Sequence, residues 1–112
     1  MKAYEICKDD PADAAALVNA GGETYRSVKT QTQIYEEMGT IDRNRQDYED
    51  KMEFLKKMEK GLSYCSPDAQ IILRNEVFRK PEPKWYRRYY TTTTYYRHRH
   101  TAYLEFLRCL DI

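Results

Sequence analysis

Apolar side chains recur every three or four residues along much of this chain, which is the spacing of helices that bury one side. The clearest apolar stripe lies within residues 41–62. Its members are Tyr48, Met52, Leu55, Met58 and Leu62. No segment reads as a confident strand. We therefore expect an all-α fold, organised as a small helical bundle.

Two helix starts are marked by a capping residue followed by proline, Asp10-Pro11 and Ser66-Pro67. Asp and Ser side chains accept hydrogen bonds from the free N–H groups of a first turn, and proline suits the first helical position. Glycine often follows the end of a helix, so Gly21-Gly22 predicts that the first helix covers about residues 11–20. The helix after Ser66 should stop before Pro81, because proline cannot continue it.

Residues 23–40 are polar and threonine-rich, and we expect a weak helix or a mobile arm there. The predicted organisation is therefore residues 1–40 as an N-terminal helix with a poorly defined arm, followed by residues 41–112 as a helical domain. No stretch approaches about 18 consecutive apolar residues, so no membrane span is expected. The first residues lack the apolar run of a secretory signal, and a cytoplasmic protein is expected.

The composition argues against an enzyme. A chain of 112 residues with 33% charged and 41% apolar residues builds one small domain with little material for a deep active site. It contains no glycine-rich phosphate loop and no ordered set of nucleophile, histidine and carboxylate. Cys7, Cys65 and Cys109 are too far apart for a zinc motif and are expected to be reduced thiols. We expect no metal, no cofactor and no small-molecule substrate.

The net charge of +1 conceals a strong asymmetry. Residues 1–73 carry 10 Lys or Arg against 14 Asp or Glu, whereas residues 74–112 carry 9 against 4. In residues 79–100 there are seven Lys or Arg and a single acid, Glu82, together with a tryptophan, five tyrosines and four threonines. Basic residues mixed with hydroxyls and aromatics are suited to phosphate and nucleic-acid binding. The alternative is a solvated basic face that balances the acidic half.

The order of elements in residues 67–110 predicts a helix-turn-helix. A short helix over Lys84–Tyr89 is followed by a threonine turn and a long helix from about Thr92 to Leu110. The first turns of such a recognition helix enter the major groove and need polar side chains. The residues expected to contact bases are Thr93, Thr94, Arg97 and His98. The residues expected to contact phosphates are Arg79, Lys80, Lys84, Arg87, Arg88, Tyr96 and Thr101.

The aromatic residues of this region divide into expected core and expected surface. Trp85, Tyr89 and Tyr95 are expected inside, where they would hold the helices together. Tyr90 and Tyr96 are expected to face outward.

The segment from Ser66 to Leu110 resembles region 4 of bacterial sigma factors. Within it, Thr93-Thr94-Tyr95-Tyr96-Arg97-His98-Arg99 resembles the S-T-Y-Y-R signature of ArpU-type phage transcriptional regulators. The pair Trp85-Tyr86-Arg87 and Tyr95-Tyr96-Arg97 is also similar to a family of small uncharacterised mycoplasma proteins. The resemblance implies a sigma region 4-like helix-turn-helix that binds double-stranded DNA in transcription.

The sequence therefore predicts a DNA-binding transcription regulator, in which residues 41–62 contact RNA polymerase or a second copy of the chain. One alternative is a helical protein–protein interaction module that does not bind nucleic acid directly. A lesser alternative is binding of single-stranded nucleic acid through stacking on exposed tyrosines.

Overall fold

A computed structural model describes all 112 residues, and the chain is helical throughout with no strand. The α-helices are α1 (Ala3–Cys7), α2 (Pro11–Met38), α3 (Arg45–Ser63), α4 (Pro67–Glu76) and α5 (Thr92–Leu110). Two short 3₁₀ helices, Asp42–Asn44 and Trp85–Arg88, lie in the α2–α3 and α4–α5 connections. The predicted all-α fold is confirmed. No helix is long and apolar enough to cross a membrane.

Helix α5 lies at the centre of the bundle and packs against each of the other four α-helices. Its inner face buries Tyr103, Phe106 and Leu107 almost completely. Helix α4 and its C-terminal cap contribute Ile72, Leu73 and Val77 to the same core, and α3 contributes Leu55, Met58 and Leu62. The apolar stripe predicted within residues 41–62 therefore faces the core over the C-terminal half of α3.

Helix α2 runs without interruption through Gly21-Gly22, so the predicted end of the helix at that pair is wrong. Gly22 is buried where α2 crosses the chain just after α4. A Cβ on Gly22 would lie 3.0 Å from the Val77 carbonyl oxygen and 3.1 Å from its Cα. One turn later, Arg26 donates a hydrogen bond from Nη1 to the same carbonyl at 2.9 Å. Here glycine permits close helix packing instead of ending the helix.

The helix ends at Gly39, whose φ of 64° is the left-handed conformation that glycine adopts easily. The N–H of Gly39 bonds to the Glu36 carbonyl and the N–H of Thr40 bonds to the Tyr35 carbonyl, which is a Schellman motif. Residues 23–38, predicted as a weak helix or mobile arm, are therefore regular helix. Beyond the core, α2 and α3 remain joined by polar contacts, including Tyr35 Oη to Asp47 at 2.6 Å.

Both predicted proline-led starts are confirmed. Asp10 accepts hydrogen bonds from the N–H groups of Ala12 and Asp13, and Ser66 accepts one from Ala69. The helix that follows Ser66 ends at Glu76, before Pro81 as predicted. The long helix predicted from Thr92 to Leu110 is also confirmed.

Helices α4 and α5 lie side by side in opposite directions. At one end, Glu105 of α5 accepts hydrogen bonds from the N–H and Oγ of Ser66. At the other end, Tyr95 of α5 donates a hydrogen bond to Glu76 of α4. The connection between them leaves the bundle near the Glu76 end and returns to the start of α5, and it carries five of the 19 Lys and Arg residues of the chain.

Candidate nucleic-acid interface

Five basic side chains line one groove in the α4–α5 connection. They are Arg79, Lys80, Lys84, Arg87 and Arg88. The groove has a volume of about 460 Å³, and all five side chains are exposed at its walls. The remaining lining residues are Asn75, Glu82, Pro83, Trp85 and Tyr89. We call this set of residues the basic groove. Every cation that the sequence predicted to contact phosphate belongs to it.

The backbone of the connection positions these cations. Lys84 has a φ of 57°, the left-handed conformation, and the 3₁₀ helix Trp85–Arg88 starts directly after it. This conformation costs a residue with a Cβ roughly 1–2 kcal/mol relative to a right-handed one. The turn is closed by hydrogen bonds from the N–H of Trp85 to the Glu82 carbonyl and from the N–H of Arg87 to the Lys84 carbonyl. Residues on both sides of the turn consequently face the same groove.

Aromatic packing fixes the 3₁₀ helix to the start of α5. The Tyr86 ring stacks on the Tyr95 ring with centroids 3.8 Å apart and an interplanar angle of 5°. Trp85 meets the same Tyr95 ring edge to face at 6.0 Å. Tyr95 is buried as predicted, whereas Trp85 is half-buried at the edge of the core. The basic groove is therefore attached to α5 through these rings.

Tyr89 is 61% exposed, so its predicted place in the core is wrong. The prediction assumed an α-helix, in which residues four apart share a face. The segment is a 3₁₀ helix that ends at Arg88, so Tyr89 follows it; its ring contacts that of Trp85, with centroids 6.1 Å apart, on the groove side and outside the core. Tyr90 also departs from the prediction, since it is half-buried and its ring lies 5.2 Å from that of His98. Tyr96 is exposed, as predicted.

A buried polar cluster holds the end of α4 against the start of α5. Glu76 is 8% exposed, accepts a hydrogen bond from Tyr95 Oη, and lies 3.5 Å from Arg99 Nε. Burial raises the pKa of the Glu76 carboxyl above its usual range, while Tyr95 and Arg99 act in the opposite direction. Burial and the neighbouring Glu76 also raise the pKa of Tyr95. Arg99 lies over the Tyr103 ring at 5.0 Å, so this arginine serves the interior.

The first two turns of α5 present a polar exposed face. Thr92, Thr93, Tyr96 and Arg97 are exposed there, and Arg97 takes part in no ion pair. Thr91 is the N-terminal cap, and its Oγ1 accepts a hydrogen bond from the N–H of Thr94. Of the four residues predicted to contact bases, Thr93 and Arg97 are exposed on this face, whereas Thr94 and His98 are half-buried at its edge.

Arg97, His98 and Thr101 line a second groove of about 350 Å³ between α5 and the start of α4. Two carboxylates, Asp68 and Glu105, lie in the same lining. Thr101 donates a hydrogen bond to the Arg97 carbonyl within α5. This acidic wall repels phosphate, so the position of Thr101 is less favourable for a phosphate contact than the basic groove.

Tyr96, also predicted to contact phosphate, lies outside the basic groove and lines a small cleft with Pro11, Ala15 and His100. Its ring is nevertheless 6.5 Å from that of Tyr86, which connects it to the 3₁₀ helix. Thr92 on the exposed face and Asn75 in the groove were not among the residues predicted to contact DNA. A helical wheel of α5 would have found Thr92, because it precedes Tyr96 by four residues.

No group of three or more His, Cys, Asp or Glu side chains is placed to hold a metal ion. Comparisons of this chain with family models, with curated proteins and with solved structures found no match.

Proposed function

We propose that this protein is a transcription regulator that binds double-stranded DNA, with the basic groove on the phosphate backbone and the start of α5 in the major groove. The observation that carries the proposal is the grouping of five cations on a connection whose 3₁₀ helix packs against the start of α5 through Tyr86 and Tyr95. With Glu82 as its one acid, the groove has a formal charge of +4. Such a concentration of positive charge attracts the regularly spaced phosphates of a duplex.

The exposed face of α5 supplies groups that read bases. Arg97 has the geometry to pair with the O6 and N7 atoms of guanine, and Thr93 can contact a base edge or a thymine methyl. This face starts four residues after Arg88, the last cation of the groove. A short element on the backbone followed by a helix in the groove is the arrangement of a helix-turn-helix, and the sigma region 4-like resemblance agrees with it.

The proposal divides the residues into two experimental classes. Cations of the basic groove bind every sequence equally, so their loss lowers affinity without changing sequence preference. Arg97 reads bases, so Arg97→Ala lowers the preference for a selected site by about 1–3 kcal/mol and leaves binding to random duplex nearly unchanged.

The test is a fluorescence-anisotropy titration with random duplex DNA. It compares the wild type with Arg87→Ala/Arg88→Ala and with the matched control Lys56→Ala/Lys57→Ala. The control removes two exposed lysines of α3 that do not line the basic groove. Both double variants lose the same net charge. We expect the groove variant to lose affinity and the control to retain it. Equal affinities of the two variants would contradict the proposal.

The exposed tyrosines give only partial support to the lesser alternative, which is binding of single-stranded nucleic acid by base stacking. Tyr89 and Tyr96 are 61% and 54% exposed, but Tyr86 and Tyr95 already stack on each other. Base stacking needs a free ring face, and one face of each ring in this pair is already covered. The same titration with a single strand separates the two ligands, since our proposal expects the duplex to bind more tightly.

A second candidate function is a helical interaction module that binds a second copy of the chain. The observation that favours it is the exposure of Ile34 and Met38, one turn apart at the end of α2 and 46% and 71% exposed. Residues 41–62 provide less apolar surface than the sequence suggested, because most of their stripe is inside. If this candidate is correct, light scattering will show a wild-type dimer that Ile34→Ser/Met38→Ser reduces to a monomer.

A further inference from the structure

Two of the three free cysteines lie side by side. Cys65 precedes the start of α4, Cys109 lies in the last turn of α5, and their Sγ atoms are 3.9 Å apart. Cys7, in α1, has no sulfur neighbour. We propose that Cys65 and Cys109 are a thiol pair that forms an internal disulfide with a low-molecular-weight disulfide as oxidant, and so fastens the start of α4 to the end of α5.

The surrounding backbone already holds the two cysteines together. The N–H of Cys65 bonds to the Leu62 carbonyl, and the Gln70 side chain donates to the Cys65 carbonyl at 3.0 Å. The next residue, Ser66, is bonded to Glu105 of α5 through both its N–H and its Oγ. A disulfide has an S–S length of about 2.05 Å, so the two sulfurs, now 3.9 Å apart, must approach by about 2 Å for the bond to form.

Burial sets the order of the two steps. Cys65 is 6% exposed, whereas Cys109 is half-buried and open to a small oxidant. The Cys109 thiolate attacks one sulfur of the oxidant RSSR, an S–S bond forms between Cys109 and that sulfur, and RS⁻ leaves. The Cys65 thiolate then attacks Cys109 Sγ and displaces the second RS⁻. Two protein thiols are oxidised, and the oxidant is reduced to two thiols, which take up the released protons.

The second step is the slow one. Burial raises the pKa of the Cys65 thiol well above its usual value, and the carboxylate of Glu105, which faces it from α5, acts in the same direction. Cys109 no longer titrates once it carries the mixed disulfide, so burial is the main cause at this step. Little of the Cys65 thiol is therefore ionised near neutral pH, and the thiolate is the attacking species. The mixed disulfide on Cys109 should accumulate first, and its conversion should accelerate as pH rises.

The bond would close the α4–α5 pair at the end opposite the basic groove. The groove lies beyond the Glu76–Tyr95 contact at the other end of the pair. Oxidation should therefore raise the melting temperature without blocking the groove. This inference is independent of nucleic-acid binding.

The test treats the full-length protein with oxidised glutathione, then alkylates it and determines the intact mass and the linked peptides. The wild type and the control Cys7→Ser should lose two hydrogen atoms and yield a peptide linkage between Cys65 and Cys109. Cys65→Ser should stop at glutathione on Cys109, and Cys109→Ser should resist the reagent for longest.

Three results would overturn the proposal: a wild type that keeps both thiols, a mixed disulfide on Cys109 that persists at raised pH, or linkage only between chains on a non-reducing gel. The wild-type result decides the question even if a serine variant fails to fold.

Discussion

Gly21→Ala and Gly22→Ala should change the stability of the protein in opposite directions, although the two residues are neighbours in α2. Alanine replaces glycine inside a helix with a gain of about 1 kcal/mol from helix propensity. At Gly21 the new methyl would meet only the Met58 Cε atom, at 3.8 Å, which is an ordinary contact. Gly21→Ala should therefore raise the free energy of unfolding by about 1 kcal/mol.

At Gly22 the new methyl would lie 3.0 and 3.1 Å from backbone atoms of Val77, and 3.2 Å from Arg26 Nη1. Backbone cannot rotate away, and forcing an extra methyl into a packed contact costs about 1–3 kcal/mol. After the gain in propensity, Gly22→Ala should be destabilising by up to about 2 kcal/mol. The two variants should then differ by about 1–3 kcal/mol.

Urea denaturation followed by circular dichroism measures both variants against the wild type. In a thermal scan, each 1 kcal/mol should appear as a shift of about 4 °C for a domain of this size. A helix that ended at Gly21-Gly22 would respond to both substitutions alike. Two substitutions that both destabilise the protein would therefore contradict the continuous helix, and two that stabilise it equally would contradict the close approach of α2 to Val77.

Three further predictions concern the basic groove and its support. Lys84→Gly should be about 1 kcal/mol more stable to urea than Lys84→Ala, because glycine relieves the left-handed backbone while both variants lose the same charge; equal stabilities would contradict the strain. Thr91→Ala should cost about 1 kcal/mol in thermal unfolding, because the Thr94 N–H loses its cap, whereas Thr92→Ala should cost much less. The raised pKa of Glu76 means that the folded state binds its proton more tightly than the unfolded state, so stability should fall as pH rises from the usual glutamate pKa through the raised value. Glu76→Gln should remove that part of the pH dependence in denaturation curves, and an unchanged profile would show that Glu76 is not its source.

Local signals predicted the helices well where capping chemistry is unambiguous. Asp10 and Ser66 accept the bonds expected of caps, and the Thr92–Leu110 helix has the predicted bounds. The prediction was wrong at Gly21-Gly22 because glycine can either end a helix or let a helix pack closely against another segment. The contact with Val77 that decides between them joins residues more than fifty positions apart.

The candidate site was predictable in its composition and not in its geometry. The basic residues from Arg79 to Arg88 were evident in the sequence, but they lie on an irregular connection with no helical or strand period. Their grouping depends on the left-handed turn at Lys84 and on the stacking of Tyr86 on Tyr95. Neither feature can be recognised in a single sequence. Lysine rarely adopts a left-handed conformation, and several other tyrosines of the region could have formed the stacked pair.

The most direct test of DNA binding through the basic groove is the salt dependence of wild-type affinity for random duplex DNA. If the five cations of the groove each contact a phosphate, the slope of log Kobs against log salt should be about −4.5. That slope corresponds to a roughly 500-fold loss of affinity between about 50 and about 200 mM salt. A folded protein that shows no binding at the lower salt, or a slope near zero, would contradict the account.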